Sequence, residues 1–321
     1  MRVRTVVFWC AVLIVLLPGL LLTFTRLTEP AGGRWIRIVS FTPFGMFLYL
    51  TAVVLLMVGA FRSRRVVAGA LALVAAFGLA LHVWWFAPMV TGDNPPPPAG
   101  AETLRVMTAN VFHGEGDGIA LVEAAAGEDV DLLVVEEIVD SQLAAMESAG
   151  IDELLPHRVG SPGNAGEGTM VFSRQPLGEP IRLDTTWDGW EMTMGDLTLL
   201  AVHPKAPTAP EGWRADHAKI LAAAEASDAD LVIGDLNATV DHEPMRRLGD
   251  AGYRSATELA NEGWQPTWPA YGVMHVAGFE VPRLVQIDHV LVGPRLAALG
   301  THTLTIPGSD HRALVAELAV K

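Results

Sequence analysis

Three long, almost uncharged apolar runs fill the first ninety residues, at about 5–27, 41–61 and 66–90. Each is long enough to cross a hydrocarbon core as a helix. Pro18 and Gly19 interrupt the first run and Pro43 opens the second. Both are tolerated in a membrane, where neighbouring helices satisfy the freed backbone groups. A signal peptide is the competing assignment for the first run, with Arg2 and Arg4 as its basic start. The run is too long for that, no Ala-x-Ala cleavage site comes after it, and the two later runs would anchor the chain in any case. Residues 1–91 therefore read as a membrane anchor of three transmembrane helices.

Basic residues at the ends of the runs set an orientation. Arg2, Arg4, Arg62, Arg64 and Arg65 fall on one side, and Arg26, Arg34 and Arg37 on the other. That asymmetry predicts a cytoplasmic N-terminus and an extracytoplasmic remainder, with Trp35, Trp84 and Trp85 at the outer interface. Residues 92–102, with Pro95 to Pro98, form a Pro-rich linker that is stiff and short, so the C-terminal region stays close to the lipid surface. No run carries an interior carboxylate or lysine, and His82 sits near the end of the third. A transport pathway normally needs such groups, which argues against a transporter or channel. The anchor acts as a tether or helps to present a lipid substrate, and the sequence leaves both open.

The rest of the chain has the opposite character. Residues 1–100 carry eight arginines against Glu29 and Asp93, a net of +6, whereas all 321 residues carry −14, which leaves −20 beyond residue 100. Residues 103–321 are long enough to bury a core as one domain. The single cysteine, Cys10, lies inside the first apolar run, so neither an intramolecular disulfide nor a cysteine metal cage can form.

Strand-like segments in this region end in polar chemistry. The runs at 104–111, 131–135, 168–173, 197–203, 231–235, 285–292 and 311–320 are rich in β-branched and apolar residues, and 118–126, 141–149 and 215–226 have helical character. Strands and helices alternate early and strands cluster late, which suits a mixed α/β sandwich. Asn110, Glu137, His203, Asp235 with Asn237, Asp288 with His289, and Asp310 with His311 all stand at or beside the apolar runs. Each alone is most simply a cap or turn residue. As an ordered series they have to converge on something, because burying them unpaired is costly.

The elements Thr108-Ala-Asn110, Val135-Glu-Glu137, Gly168-Thr-Met-Val-Phe-Ser173-Arg174, Ala201-Val-His203, Gly234-Asp-Leu-Asn237, Ile287-Asp-His289 and Ser309-Asp-His311 resemble, in order, the endonuclease/exonuclease/phosphatase superfamily. That superfamily includes DNase I, abasic-site endonucleases, sphingomyelinases and inositol-polyphosphate phosphatases. The resemblance spans about residues 103–320 and implies a four-layer α/β/β/α sandwich, a divalent metal and hydrolysis of a phosphate ester. By the same resemblance Glu137, with Asn110 and Asp310, holds Mg²⁺ or Mn²⁺, for which hard oxygen ligands are suited. Asp235 activates water, Asn237 positions that water or a phosphate oxygen, His311 oriented by Asp288 donates to the phosphoryl group, and His203 donates from the opposite side. Two positions depart from the pattern. Glu136 stands where the family usually has Gln, and Phe112 stands where DNA-repair members carry an acid.

Other residues receive more modest expectations. Arg174 reads as a structural ion-pair residue, Thr267 as a residue ordering the site, and Trp268 as core or substrate platform. Gly160, Gly163, Gly166 and Gly168 precede a strand rather than open a helix, so they read as a loop and not a dinucleotide site. Trp187 and Trp190 suit a lipid surface or a core turn. His113 and His289 lie near the site without an assigned role.

The acidity argues against a duplex-DNA nuclease, which needs a cationic footprint. Lysines stand only at 205, 219 and 321. The leading expectation is a membrane-anchored, metal-dependent hydrolase of a lipid-linked or small phosphate ester. An extracellular nuclease is the alternative, and a non-catalytic binding module the third. The three-span anchor with an outward domain also resembles actinobacterial VanJ-type membrane proteins of glycopeptide resistance, which implies a polyprenyl diphosphate or similar envelope lipid as substrate.

Overall fold

The computed structural model describes residues 2–63, 66–270, 272, 275–276, 278–280 and 282–321. Arg64 and Arg65, which contribute to the orientation read from the sequence, lie outside the described residues. The chain divides into two compact units, Met1–Pro88 with Asp241–Glu243, and Met89–Val240 with Pro244–Lys321.

The first unit contains α1 (Arg2–Thr28), α2 (Gly33–Val39), α3 (Gly45–Ser63) and α4 (Val66–Phe86). Among the described residues, Val3–Thr28, Thr42–Phe61 and Val66–Phe86 are helical, long and apolar enough to cross a membrane. Hydropathy predicts a third span reaching about residue 90, but the helix stops at Phe86. Pro88 disfavours helical geometry at the residue before it and has no N–H to donate, so the chain restarts there as the one-turn helix α5 (Pro88–Thr91). Small residues let the helices approach closely: a Cβ at Gly78 would lie 2.4 Å from the Tyr49 ring. His82 is buried in this bundle with both nitrogens engaged, Nε2 with Thr23 Oγ1 at 2.9 Å and Nδ1 with the Thr42 carbonyl at 2.9 Å. Its polar groups are thus consumed in helix packing.

The second unit runs β1 (Thr103–Asn110), α6 (Gly118–Gly127), β2 (Leu132–Glu136), α7 (Asp140–Ser148), α8 (Ile151–Leu154), β3 (His157–Ser161), β4 (Thr169–Ser173), β5 (Ile181–Arg182), β6 (Trp190–Met194) and β7 (Leu197–Ala201). It continues with α9 (Pro210–Ser227), β8 (Leu231–Asp235), α10 (Glu243–Asp250), β9 (Arg254–Ser255), α11 (Ala256–Leu259), β10 (His275–Val276), β11 (Phe279–Glu280), β12 (Asp288–Val292), β13 (Leu296–Thr305) and β14 (Arg312–Val320). Among the described residues two six-stranded sheets form, in the orders β13-β14-β1-β2-β4-β3 and β5-β6-β7-β8-β12-β9, and β10 pairs with β11.

Alternation along the strands builds the layers. Val106, Leu132, Val134 and Ala316 on the first sheet share one buried cluster with Leu199, Ile233 and Val290 on the second, so two sheets pack face to face. The opposite face of the first sheet, through Met107, Leu133 and Phe172, packs on Leu121 of α6, Met146 of α7 and Ile151 of α8. On the second sheet the alternate positions Leu200, Val232 and Leu291 are buried too, as are Trp213, Ile220 and Ala224 of α9. Burying each large aliphatic side chain contributes about 1.5–3 kcal/mol. The architecture is the expected α/β/β/α sandwich.

Strand direction decides where the polar residues gather. β1 and β2 are parallel, as are β7 and β8, so Asn110, Glu137, the residues after Ala201 and Asp235 all emerge at C-terminal strand ends. β14 is antiparallel to β1, and β12 to β8, so the N-terminal ends of those two strands, with His311 and Asp288, lie at the same edge. Asp288 is directly opposite Asp235 in the register.

Candidate active site

The residues to which the sequence assigns metal, water and phosphate roles meet at this edge. Asn110, at the end of β1, bridges the two sheets: its Nδ2 donates to Glu137 Oε1 at 3.0 Å and to Asp235 Oδ2 at 3.0 Å. Its Oδ1 accepts from the Phe112 N–H at 2.9 Å. Asn110 therefore enters as a donor to the acids, and serving as a metal ligand requires its amide to turn over. Asp235 Oδ1 accepts from the Asn237 N–H at 2.8 Å, and Asn237 Nδ2 donates to the Pro204 carbonyl at 3.2 Å. His311 Nδ1 donates to Asp288 Oδ2 at 2.9 Å, while its Nε2 stands 3.8 Å from Asp235 Oδ2 and 3.8 Å from Asp310 Oδ1. His203 Nε2 lies on the other side, 3.7 Å from Asp235 Oδ2 and 3.8 Å from Glu137 Oε1.

The backbone here is held against its preferences. Phe112, His113, Glu137 and Asn237 all have positive φ, between 48° and 60°. Non-glycine residues adopt that region at a cost and cluster at functional sites when they do. Gly234 needs glycine twice over, for its φ of 146° and because a Cβ there would meet the Val202 carbonyl. Only glycine lets β7 and β8 close up just before Asp235.

Burial and mutual repulsion set the electrostatics. Desolvation pushes Asp235 up to about 8, with Asp288 and Glu137 adding to it against the lowering effect of His311 and the Asn237 N–H. Burial alone would lower His311, but Asp288, Asp235 and Asp310 together carry it up to about 10. Burial drives His203 down to about 4 in spite of Glu137. Asp310 is raised by burial. Glu137 is pushed up by burial, yet His203, Asn110 and His113 bring it below its ordinary value. Glu136 is fully buried and raised well above the carboxylate range, chiefly by desolvation, while Thr108 Oγ1 donates to its Oε1 at 2.7 Å.

So dense a set of acids suits a hard divalent cation. Asp310 Oδ1 is buried without a hydrogen-bond partner, and a cation would satisfy it. Asp235, Asp288 and His311 also offer atoms within 4.8 Å of one another, a second candidate cage. His311 and Asp288 are already engaged with each other, Nδ1 to Oδ2 at 2.9 Å and to Oδ1 at 3.2 Å, which leaves that group less free to hold a cation. Glu137 and Asp310, with Asn110 beside Glu137, are the better donors. After chelation, Mg²⁺ or Mn²⁺ at roughly a hundred times its Kd should add about 2.7 kcal/mol to stability, seen as a higher melting midpoint. Glu137→Gln should remove most of that rise, and an unchanged midpoint in the parent would exclude the site.

Other side chains support these residues, and those of α9 are invisible in the sequence. Trp213, Asp216 and His217, on one face of α9, hold the site's loops: Trp213 Nε1 donates to the Asn237 carbonyl at 3.0 Å, and His217 Nε2 lies 3.0 Å from the Leu236 carbonyl. His113 gives both its N–H, at 2.9 Å, and Nδ1, at 2.7 Å, to Glu137 Oε2. Ser309 Oγ donates to the Asn110 carbonyl at 2.7 Å and accepts from the His311 N–H at 3.0 Å. Thr267 orders the site as expected, its Oγ1 accepting from the Ile287 and Asp288 N–H groups at 3.1 and 3.3 Å. Trp268 supports Asp310, Nε1 to Oδ2 at 3.1 Å, and His289 Nε2 lies 2.8 Å from the Ala238 carbonyl. Arg174 pairs with Asp129 at 2.7 Å, away from these residues. Of the two tryptophans offered to a lipid surface, Trp190 donates to the Thr169 carbonyl at 2.9 Å and Trp187 packs on His203.

The model of the Endonuclease/Exonuclease/phosphatase family matches residues 107–311, well over half of the chain. The chain belongs to this family. Solved structures show the same fold. An endonuclease/exonuclease/phosphatase from Beutenbergia cavernae aligns at 18% identity with a TM-score of 0.54, covering 68% of this chain and 72% of its own. The 3′ phosphatase NExo from Neisseria, bound to a product DNA hairpin, aligns at 18% identity and a TM-score of 0.53, covering 66% and 98%. Truncated TDP2 from Caenorhabditis elegans aligns at 19% identity and 0.51, covering 68% and 98%. No curated protein is significantly similar to the chain. Membership makes this endonuclease/exonuclease/phosphatase domain one of a group of phosphate-ester hydrolases.

Proposed function

We propose that the chain is a membrane-anchored, divalent-metal-dependent phosphoesterase that hydrolyses a lipid-linked or small phosphate ester or pyrophosphate on the extracytoplasmic face. The observation that carries the reading is the setting of Asp235, a buried carboxyl between the His311–Asp288 pair and His203, with Asn110 tying it to Glu137. A bound cation supplies charge that offsets the phosphate's and acidifies water. Asp235 takes the proton of the attacking water, and the Asn237 N–H on Oδ1 fixes the carboxyl's orientation. The water oxygen bonds to phosphorus and the ester P–O bond breaks, its electrons leaving with the departing oxygen. The Asp235 proton then passes to that group or to solvent. His311, held by Asp288, presents Nε2–H to the phosphoryl oxygens, where donors already in place stabilise growing charge. His203, neutral because it is buried, offers a single N–H from the other side.

Three apolar helices in the same chain as an acidic domain with few lysines support a lipid or small substrate over a nucleic acid. The test offers full-length, detergent-solubilised protein with Mg²⁺ a long-chain polyprenyl diphosphate and supercoiled plasmid together, with Asp235→Ala as control. Phosphate release without nicking is the expected result. Nicking without phosphate release would establish the nuclease reading instead.

A further inference from the structure

Next to His203 stand side chains that the hydrolytic step does not use. Trp187, in the β5–β6 connection, lays its indole on the His203 ring with centroids 4.5 Å apart, and Lys205 Nζ stands 4.2 Å from the centre of the same indole. Asp216, 1% exposed on α9, secures both sides of this stack. Its Oδ1 accepts from the Thr186 N–H and hydroxyl, both at 2.9 Å, and its Oδ2 from the Lys205 N–H at 3.0 Å. Gly166 makes room for the indole, since a Cβ there would lie 3.2 Å from the ring. The two nitrogens of His203 are buried without a hydrogen-bond partner. Lys205 forms no ion pair among the described residues, whereas Lys219 is paired with Asp184 at 2.9 Å and Lys321 ends the sequence.

We propose that Trp187 and Lys205 form a subsite for a second phosphate, so that the pocket accepts substrates whose reacting phosphorus is joined through oxygen to another phosphate. The inference rests on the phosphoesterase reading of the same pocket. A buried carboxylate that fixes the backbone at Thr186 and Lys205 lowers the ordering cost of binding, as does an ammonium already seated on an indole face. Lysine is a compact point charge, able to take one phosphate from several directions.

Calorimetry on full-length protein in detergent, with Mg²⁺ in constant excess, would compare methylenediphosphonate with methylphosphonate, neither of which can be hydrolysed at its P–C bonds. The parent should prefer the diphosphonate by roughly tenfold or more. In Lys205→Gln the ratio should fall towards one, and Lys205→Arg should keep it. A parent without preference, or a Lys205→Gln protein with the parent's ratio, would overturn the subsite. Farnesyl diphosphate and ADP, offered as displacing ligands, separate a lipid tail from a nucleoside. Displacement by either supports the subsite, and displacement by neither overturns it. Because binding is read apart from turnover, a Lys205-dependent preference in a protein that hydrolyses no phosphate ester would sink the functional reading alone. Hydrolysis with a Lys205-independent ratio would sink the subsite alone.

Discussion

An Asp235→Asn protein is expected to lose about two to four orders of magnitude in turnover, the range for a positioned general base, and yet to melt later than its parent without metal. The two effects share a cause. Asp235 is fully buried beside Asp288 and Glu137, and its pKa is raised to about 8. A folded-state value above the unfolded one, about 4, means that the native protein holds its proton where the unfolded chain has released it. That contribution is fully present below pH ~4 and is lost as pH rises through about 8. The parent's midpoint should therefore fall over this window, whereas the amide, which has no charge to bury, is spared. At pH 8 the metal-free variant should gain a few kcal/mol, or about 5 °C or more. Near pH 4 the two should converge. Thermal unfolding of the full-length proteins against pH, with and without Mg²⁺, checks this. A variant that is less stable than the parent at pH 8 without metal would show that Asp235 is not strained by its surroundings.

How far the sequence can be read depends on whether a residue's role is local. Asn110, Glu137, Asp235, Asp288 and His311 come just after or just before apolar β-branched runs, and the edge at which a strand stops is set by its direction. The three apolar runs are equally plain, because hydropathy alone defines them. Asp216 is not legible. On α9 it reads as one more charge on an amphipathic helix, and only tertiary packing shows it accepting from Thr186 and Lys205. Trp213 and His217 stand at i and i+4 on that face, a pairing of polar-tipped rings that marks the helix as more than core. His113 is placed near the site by sequence, but its role is out of reach for a backbone reason, since its contact with Glu137 depends on positive φ at Phe112 and His113, which their identities do not signal. Aromatic character alone leaves Trp187 to lipid or core; its place beside His203 comes from the Asp216 tether and the gap at Gly166.

The second large effect is predicted for Asp288→Asn, which removes one charge and keeps the shape. Asp288 is completely buried and both of its oxygens face His311 Nδ1, at 2.9 and 3.2 Å. Breaking one partner out of a buried charged pair costs about 3–5 kcal/mol, because the remaining charge is left without compensation. The pH dependence gives a sharper signature than the loss itself. His311 is raised from 6.5 to about 10, so the pair's contribution is fully present below pH 6.5 and is lost as pH rises through about 10. The parent should lose stability across that window, and in Asp288→Asn most of this slope should vanish as His311 returns towards its ordinary value. Turnover should drop by roughly a hundredfold to ten-thousandfold. Its alkaline limb should also move to lower pH, because an imidazole that releases its proton more readily stops offering a charged donor to the phosphoryl oxygens sooner. An alkaline limb that stays in place in Asp288→Asn would show that Asp288 does not hold the His311 proton, and that the donor has to be sought elsewhere in the pocket.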